Sequence, residues 1–279
     1  MTGARATDIG INGRMTRANP IRDTGVVALM HSPTPGNLAL QATYDESDPR
    51  PFYHHQSALD YQIPALCGMV VRILAEEFRS ERPAIIVDIG CSYGIGAAVM
   101  TTDLTLAEIY QNYTDPARAG LPVTQLRGGD RRWFARHRSA GAVRVFGFDV
   151  AARAVHFAVE AGLLDRGWAC DLEQEPPPAG LISAMREVDL LVGTGIFSYI
   201  TPRTVERLLA TRAGLSPWML SFPLRFSDYR PFSALLDQHG LSTVRLNAHP
   251  LVQQRVGTED IRGPAFRSEE RRVGKECRS

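Results

Sequence analysis

The stretch IIVDIGCSYGIGAAV, residues 85–99, holds residue types that can bind a small ligand. An apolar run ends at Asp88, and Gly90, Gly94 and Gly96 follow it closely. Glycine has no side chain, so backbone N–H groups in such a loop can come very close to a ligand. A carboxylate at the same point attracts a cationic group and repels a phosphate. The stretch therefore predicts a loop that binds a ligand with a positively charged end.

Further polar residues follow later apolar runs. Asp149 ends the run RVFGFD, Asp171 ends GWACD, and Thr194 and Gly195 end VDLLVGTG. In a doubly wound parallel sheet, ligands bind at the carboxyl ends of the strands, beside the first strand. If these runs are parallel strands, we expect their ends to lie on the same edge of the sheet as Asp88.

Strand and helix signals alternate along the chain from residue 84 onward. Short apolar runs are typical of buried parallel strands, and segments with helical spacing or helix caps lie between them. This alternation predicts an α/β fold with a Rossmann-like, doubly wound, mostly parallel sheet and helices on both faces. The predicted strands are 84–88, 144–149, 167–171, 188–195, 218–223 and 242–249.

Caps and glycines mark the ends of the predicted helices. Pro64 suits the first turn of a helix that precedes the sheet, and Gly162 ends the helix after the second strand. Thr201 is expected to cap a helix that has proline at its first position. Asp228 is expected to cap the last helix, which Gly240 ends.

An insertion separates the first two strands. The acids that end these strands are 61 residues apart, whereas a strand–helix–strand step takes about 30. The insertion, about 102–142, contains a capping box made by Thr105 and Glu108. It also contains LRGGDRRWFARHR, which we expect to form an amphipathic helix with Trp133 and Phe134 facing inward. Contact of this run with RNA phosphates and bases is the alternative.

The loop after the first strand resembles motif I of class I S-adenosylmethionine-dependent methyltransferases, an acid followed by alternating glycines. Serine stands at position 92, where the family usually has glycine. The resemblance implies that the carboxylate holds the cationic amino end of S-adenosylmethionine and that the loop wraps the cofactor. The residues that match the motif are Asp88, Gly90, Cys91, Ser92 and Gly94.

Two later segments are similar to further motifs of the same family. FGFDVAARAVHFA resembles the segment in which an acid, here Asp149, bonds the ribose hydroxyls and the next residue, Val150, packs on adenine. ACDLEQ resembles the segment in which an acid, here Asp171, meets the adenine amino group while Leu172 offers its backbone amide. The resemblance implies that these four residues complete the cofactor site.

The fourth-strand segment VDLLVGTGIFSYIT is similar to the motif that lies beside the cofactor sulfonium and the substrate, here at Thr194 and Gly195. No Asn-Pro-Pro-Tyr tetrad follows, which argues against the adenine and glutamine-amide methylators that use one. The resemblance covers about residues 84–246. It implies an enzyme that moves a methyl group from S-adenosylmethionine to an unidentified small molecule.

The glycine spacing is also similar to the cofactor loop of the NAD(P)-dependent short-chain dehydrogenases. That family uses a Tyr-x-x-x-Lys pair, but the only lysine here is Lys275, and Tyr199-x-x-x-Arg203 carries arginine instead. Asp88 would also repel a pyrophosphate. An NAD(P) reductase is therefore a lesser alternative, beside a non-catalytic S-adenosylmethionine-binding or partner subunit and an RNA methyltransferase.

The acceptor site is expected to come from the N-terminal cap and the insertion. The cap segment RPFYHHQSALDYQIP places Tyr53, His54, His55 and Tyr61 just before the core. We hypothesise that Tyr53 or Tyr61 lines the acceptor site, the alternative being aromatic packing of the cap on the core. His54 or its neighbour is a candidate catalytic base, the alternative being an exposed histidine pair.

Composition limits the class of protein. With 279 residues, 44% of them hydrophobic, the chain can bury a full core. The formal net charge of +1 gives no pull toward nucleic acid or a membrane surface, and no apolar run reaches the ~20 residues of a membrane span. Four cysteines without C-x-x-C pairing predict reduced thiols, no metal site and a cytoplasmic protein. The oligomeric state stays open.

Composition also divides the chain. Residues 1–40 lack periodicity and are expected to be disordered or to follow a misassigned start codon. Residues 41–82 form the cap region, and 83–266 form the expected methyltransferase domain. The run RSEERRVGKECRS, 267–279, is similar to a translated sequencing adapter, and we expect it to be foreign to the protein.

Overall fold

The computed structural model describes residues 7–9, 15–17, 44–77, 82–139, 141, 143–211, 217–224 and 227–245. The tail 267–279 and the last part of the predicted sixth strand lie outside these residues. The strands are β1 Thr7–Ile9, β2 Met15–Arg17, β3 Ala84–Ile89, β4 Val143–Asp149, β5 Arg166–Ala169, β6 Leu190–Thr194 and β7 Trp218–Phe222. The helices are α1 Arg50–Ala58, α2 Ile63–Glu77, α3 Ile95–Thr101, α4 Leu106–Thr114, α5 Pro116–Ala119, α6 Val123–Arg136, α7 Ala152–Glu160, α8 Ala179–Met185, α9 Pro202–Ala210 and α10 Arg230–Gln238.

Five strands form one parallel sheet in the order β5-β4-β3-β6-β7. The chain leaves the central strand β3 in one direction through β4 and β5, and then in the other through β6 and β7. The carboxyl ends of β3 and β6 therefore border the crevice where the strand order reverses. The predicted Rossmann-like, doubly wound α/β fold is confirmed.

Strand β3 is buried along its whole length and feeds two cores on opposite faces of the sheet. Ile86 joins the core under α1–α4, α6 and α7. Ile85 and Val87 join the core under α8–α10. Successive side chains of a strand point to opposite faces of the sheet. Since both faces of β3 are buried, its sequence is a continuous apolar run. Helices cover both faces of the sheet, as predicted.

Two segments differ from the predicted regular structure. Residues 242–245 of the predicted sixth strand are exposed and lie in no strand, and 246–249 lie outside the described residues. Thr7–Ile9 and Met15–Arg17 form a short antiparallel pair within residues 1–40, which the sequence predicts to be disordered or to follow a misassigned start codon. The last helix also begins one residue later than predicted, with Tyr229 at the cap position and Asp228 accepting from the Arg230 N–H.

The insertion folds as helices α4, α5 and α6. The Thr105 hydroxyl accepts from the Glu108 N–H, and the Glu108 carboxylate accepts from the Thr105 N–H, so the predicted capping box is confirmed. In α6, Phe134 is buried and Trp133 is half-buried against the core, whereas Arg131 is exposed. The expected amphipathic helix is therefore present.

A buried polar cluster fastens the cap to the insertion. The ring of Tyr53 in α1 stacks on Tyr113 in α4 with 3.9 Å between centroids, and the Tyr113 hydroxyl donates to Asp130 Oδ2 at 3.1 Å. Asp130 in α6 is fully buried and pairs with Arg118. Burial raises the pKa of Asp130 to about 6, although the guanidinium of Arg118 lowers it.

No single helix in the described ranges is long and apolar enough to cross a membrane. The sharply bent pair α1 and α2 meets the criterion of length and composition only when its two helices are counted together.

We expect Arg118→Met to lower the free energy of unfolding by about 3 kcal/mol, because it leaves the ionised, fully buried Asp130 carboxylate without its cation. Urea denaturation at pH 7.5, where Asp130 is ionised, measures this loss. Asp103→Asn is the matched control, since its pair with His137 is exposed and should contribute far less. Equal losses in the two variants would contradict a special role for the buried pair.

Candidate functional site

The loop after β3 has an unusual backbone. Gly90, Ser92 and Gly94 all adopt positive φ values, at 72°, 46° and 77°. A Cβ atom added at Gly90 would lie 2.5 Å from Cδ1 of Ile196, so the loop packs directly on the segment after β6. Serine rarely adopts this conformation, and such strained residues cluster at functional sites.

The Asp88 carboxylate lies under this loop with few hydrogen-bond partners among the described residues. The residue is 1% exposed, and Oδ1 is buried without a hydrogen-bond partner in the described part of the chain. A Cβ atom added at Gly96 would lie 2.8 Å from Oδ2, so only glycine leaves room for the acid. Burial raises the pKa of Asp88 to about 7, and the nearby Asp149 adds to the shift. A buried carboxylate of this kind is suited to a cationic partner.

Asp149, at the end of β4, is held in a fixed orientation. Its Oδ2 accepts from the Ser92 N–H at 2.9 Å, and Oδ1 accepts from the Ala151 N–H at 2.9 Å. Burial raises its pKa, while these backbone donors lower it. The next side chain, Val150, is 68% exposed, which leaves an apolar surface beside the carboxylate.

The loop after β5 carries Asp171 and Leu172 at the same edge of the sheet. Asp171 Oδ1 accepts from the Glu173 N–H at 2.9 Å, and the Leu172 side chain is buried. Arg207 of α9 donates to the backbone oxygens of Leu172 and Glu175 at 2.7 and 2.6 Å. The loop is thus fastened to a helix of the core, so its backbone amides have fixed positions.

The end of β6 meets the cap at Tyr61. Gly195 has a φ of 71°, and a Cβ atom added there would lie 2.8 Å from the Tyr61 hydroxyl oxygen. The Thr194 side chain lies beside the Tyr61 hydroxyl. Burial raises the pKa of Tyr61 well above its ordinary value, and the nearby Asp88 contributes to the shift. Tyr61 is therefore a neutral hydroxyl beside the crevice.

Tyr53 and His54 lie elsewhere. Tyr53 is fully buried against the insertion, and its hydroxyl lies 3.3 Å from the Tyr93 backbone oxygen. His54 is exposed on α1, with Nε2 at 2.8 Å from the Tyr113 backbone oxygen. The structure thus brings Tyr61 to the crevice. Tyr53 lies under the insertion with its hydroxyl against the loop after β3, and His54 lies in the contact between cap and insertion.

Sequence reasoning missed Tyr44 and Tyr199. The Tyr44 hydroxyl accepts from the Gln56 amide at 3.1 Å; burial raises its pKa, and the nearby Tyr199 and Asp149 raise it further. Tyr199 follows the end of β6 and is 46% exposed. The position of Tyr199 shortly after a strand end could have indicated from the sequence that it lies near the crevice. Tyr44 is far from any strand end in the sequence and comes near the crevice only through the tertiary fold.

The side chains of two further residues, Cys91 and Asp189, pack or bond within the protein. Cys91 is buried under β4, where a Cβ atom added at Gly147 would lie 2.7 Å from the Cys91 Cβ, and burial raises its thiol pKa well above the ordinary value. Asp189 accepts from the Arg82 side chain and the Ile85 N–H at the far edge of the sheet. In the described ranges, no three His, Cys, Asp or Glu side chains are placed to hold a metal ion.

Comparison with known proteins gives remote structural likenesses. No protein-family model matches the chain, and a search of curated proteins finds no match. The plantazolicin methyltransferase BpumL in complex with SAH is 14% identical, with a TM-score of 0.31, and the match covers 67% of this chain and 53% of that protein. A protein of Methanococcus maripaludis described as an S-adenosyl-L-methionine-dependent methyltransferase is 9% identical over 69% of this chain and 71% of its own, with a TM-score of 0.35.

This chain therefore spans about half the length of BpumL. At these TM-scores the likenesses are too remote to carry a functional inference, which rests on the residues of the crevice.

We expect Asp88→Asn to raise the melting temperature more at pH 8 than at pH 5. The pKa of Asp88 is about 7 in the folded protein and near 4 in an unfolded chain. Folding is therefore opposed by ionisation, and the penalty grows as the pH rises between these two values. Asparagine has no such penalty at any pH. Thermal unfolding measured at both pH values tests this, and a gain that does not depend on pH would contradict it.

Proposed function

We propose that the chain is an S-adenosylmethionine-dependent methyltransferase that acts on a small molecule. The observation that carries the proposal is the buried Asp88 carboxylate, whose Oδ1 has no hydrogen-bond partner among the described residues, under a loop with three left-handed residues. The arrangement suits a ligand with a cationic group and poorly suits a dinucleotide, whose pyrophosphate the carboxylate would repel.

The residues present fit the parts of this cofactor. Asp88 would hold the ammonium group. The loop of Gly90, Cys91, Ser92 and Gly94 would bring its backbone close to the cofactor, because the two glycines have no side chains. Asp149, whose carboxylate is oriented by two N–H groups, would accept hydrogen bonds from the ribose hydroxyls. The exposed Val150 side chain would pack on adenine, and Asp171 with the Leu172 amide would bond its edge. When bound, S-adenosylmethionine supplies an activated methyl group on a sulfonium.

The acceptor would approach at Thr194 and Gly195, where Tyr61 closes the crevice. Burial raises the pKa of Tyr61, so its hydroxyl donates a hydrogen bond and does not act as a base. We therefore assign this side of the site to Tyr61, and not to Tyr53, which is fully buried with its ring stacked on Tyr113, or to His54, which contacts the insertion. The work of the protein is then to orient two partners and to exclude water.

We expect calorimetric titration of the full chain to show micromolar binding of S-adenosylmethionine and no binding of NADH. Asp88→Asn and Asp149→Asn should each weaken the binding at least tenfold, because each removes a charge-assisted hydrogen bond. Asp103→Asn, an exposed acid outside the crevice, should leave the affinity unchanged. Binding of NADH alone would overturn the proposal in favour of a reductase.

Binding does not separate an enzyme from a non-catalytic subunit, so a second experiment is needed. The protein is incubated with methyl-labelled S-adenosylmethionine and a fractionated small-molecule extract. Transfer of label to a fraction supports the enzyme. Label that stays on the cofactor in every fraction, with binding intact, supports the non-catalytic alternative.

A further inference from the structure

Three charged side chains join the loop after β5 to helix α9, and we refer to Glu173, Arg203 and Arg207 as the β5-loop clamp. Glu173 Oε1 accepts from the Thr201 N–H at 3.0 Å, and Oε2 accepts from the Thr201 hydroxyl at 2.7 Å. The Thr204 hydroxyl donates to Oε1 at 2.5 Å. One carboxylate of the loop thus takes three hydrogen bonds from the start of α9.

The two arginines of the clamp bind the loop in the opposite sense, from helix to loop backbone. Arg203 donates to the Glu173 backbone oxygen at 3.1 Å. Arg207 Nη1 donates to the backbone oxygens of Leu172 and Glu175 at 2.7 and 2.6 Å. Hydrogen bonds in which one partner is ionised are stronger than neutral ones, so the loop is held firmly on a helix of the core.

The surroundings of Glu173 keep its carboxyl group ionised. Burial raises the pKa of Glu173, but hydrogen bonds from Thr204 and Thr201 outweigh it, so that the pKa lies below its ordinary value. A negative charge at a helix N-terminus is also favoured by the helix dipole. The clamp is therefore intact at neutral pH.

The clamp leaves two polar groups of the loop free to meet a ligand. Asp171 Oδ1 accepts from the Glu173 N–H at 2.9 Å, and the Leu172 side chain is buried in the core under α8–α10. Within the described ranges, Asp171 Oδ2 accepts no hydrogen bond and the Leu172 N–H donates none. The loop thus offers an acceptor and a donor on adjacent residues, both in fixed positions.

An acceptor next to a donor matches a flat ligand edge that presents the same pair in reverse. Adenine presents an amino donor beside a ring-nitrogen acceptor, whereas a purine with a carbonyl oxygen in place of the amino group presents an acceptor there. A site with fixed polar groups rejects an analogue that leaves those groups unpaired. A loop that is free to turn would adapt to either base.

We propose that Glu173 and Arg207 are positioning residues that make the proposed cofactor site selective for adenine. This inference rests on the proposed function, in which Asp171 and the Leu172 amide bond the adenine edge. Neither clamp residue touches the ligand in this account. Each one prevents the acceptor and the donor of the loop from turning toward a different base.

Two ligands that differ only at this edge test the proposal: SAH, and its analogue in which hypoxanthine replaces adenine. Each is titrated calorimetrically into the full chain. The native protein should bind SAH at least about tenfold more tightly than the analogue. Glu173→Ala and Arg207→Met should each reduce this ratio to about threefold or less, because the freed loop can adapt to both bases.

Two further variants are the controls. Glu175→Ala removes an exposed side chain from the same loop and should keep the native ratio. Arg207→Lys keeps a cationic donor that can reach the same backbone oxygens, and it should restore most of the ratio that Arg207→Met loses. The ratio is the deciding measurement, because a loss of folded protein lowers the binding of both ligands alike.

The outcomes separate this inference from the proposed function. If SAH binds and both clamp variants keep the native ratio, or if the native chain binds the two ligands equally well, the role of the clamp is overturned while the cofactor class stands. If the native chain binds neither ligand, the proposed function fails and the inference fails with it. The two variants break the clamp at opposite ends, so one folded variant is enough for the test.

Discussion

The buried Asp88 carboxylate at the end of the central strand is the constraint on which the carboxyl edge of the sheet depends. A carboxylate buried among apolar strands opposes folding unless it is neutral or paired, and here Oδ1 has no partner in the described residues. A side chain at position 96 would collide with the Asp88 carboxylate, so glycine is required there. The loop above the carboxylate contains three residues in the left-handed conformation. A fold that retains this arrangement accepts a loss of stability that a cationic ligand would recover.

The remaining contacts hold the borders of the crevice in place. Asp149 ties β4 to the loop through the Ser92 N–H, and Arg207 ties the loop after β5 to α9. On the other side, the stacked rings of Tyr53 and Tyr113 fasten the cap to the insertion. That contact positions the turn after α1. The turn carries Tyr61, which lies over Gly195. Residues far from the crevice thus decide its shape.

Much of this could be predicted from the sequence, because the signals are local. Apolar runs, caps and glycines predicted five strands of the sheet and the insertion helices, and the acids at strand ends predicted one shared edge. The choice between Tyr53 and Tyr61 was not local: both precede the core, and only the tertiary fold stacks Tyr53 on Tyr113 under the insertion and brings Tyr61 to Gly195. The predicted strand at 242–249 failed in its described part for a similar reason, since alternation alone does not provide a neighbouring strand.

Proton release on cofactor binding tests the central role of Asp88 most directly. Near pH 7 the carboxylate is about half protonated, because its pKa is about 7, and an ammonium group beside it would lower that pKa and expel the proton. Calorimetric titration with S-adenosylmethionine at pH 7, in two buffers of different ionisation enthalpy, measures the proton count. The account predicts release of about half a proton by the native chain and none by Asp88→Asn. Proton uptake, or equal release by both proteins, would contradict it.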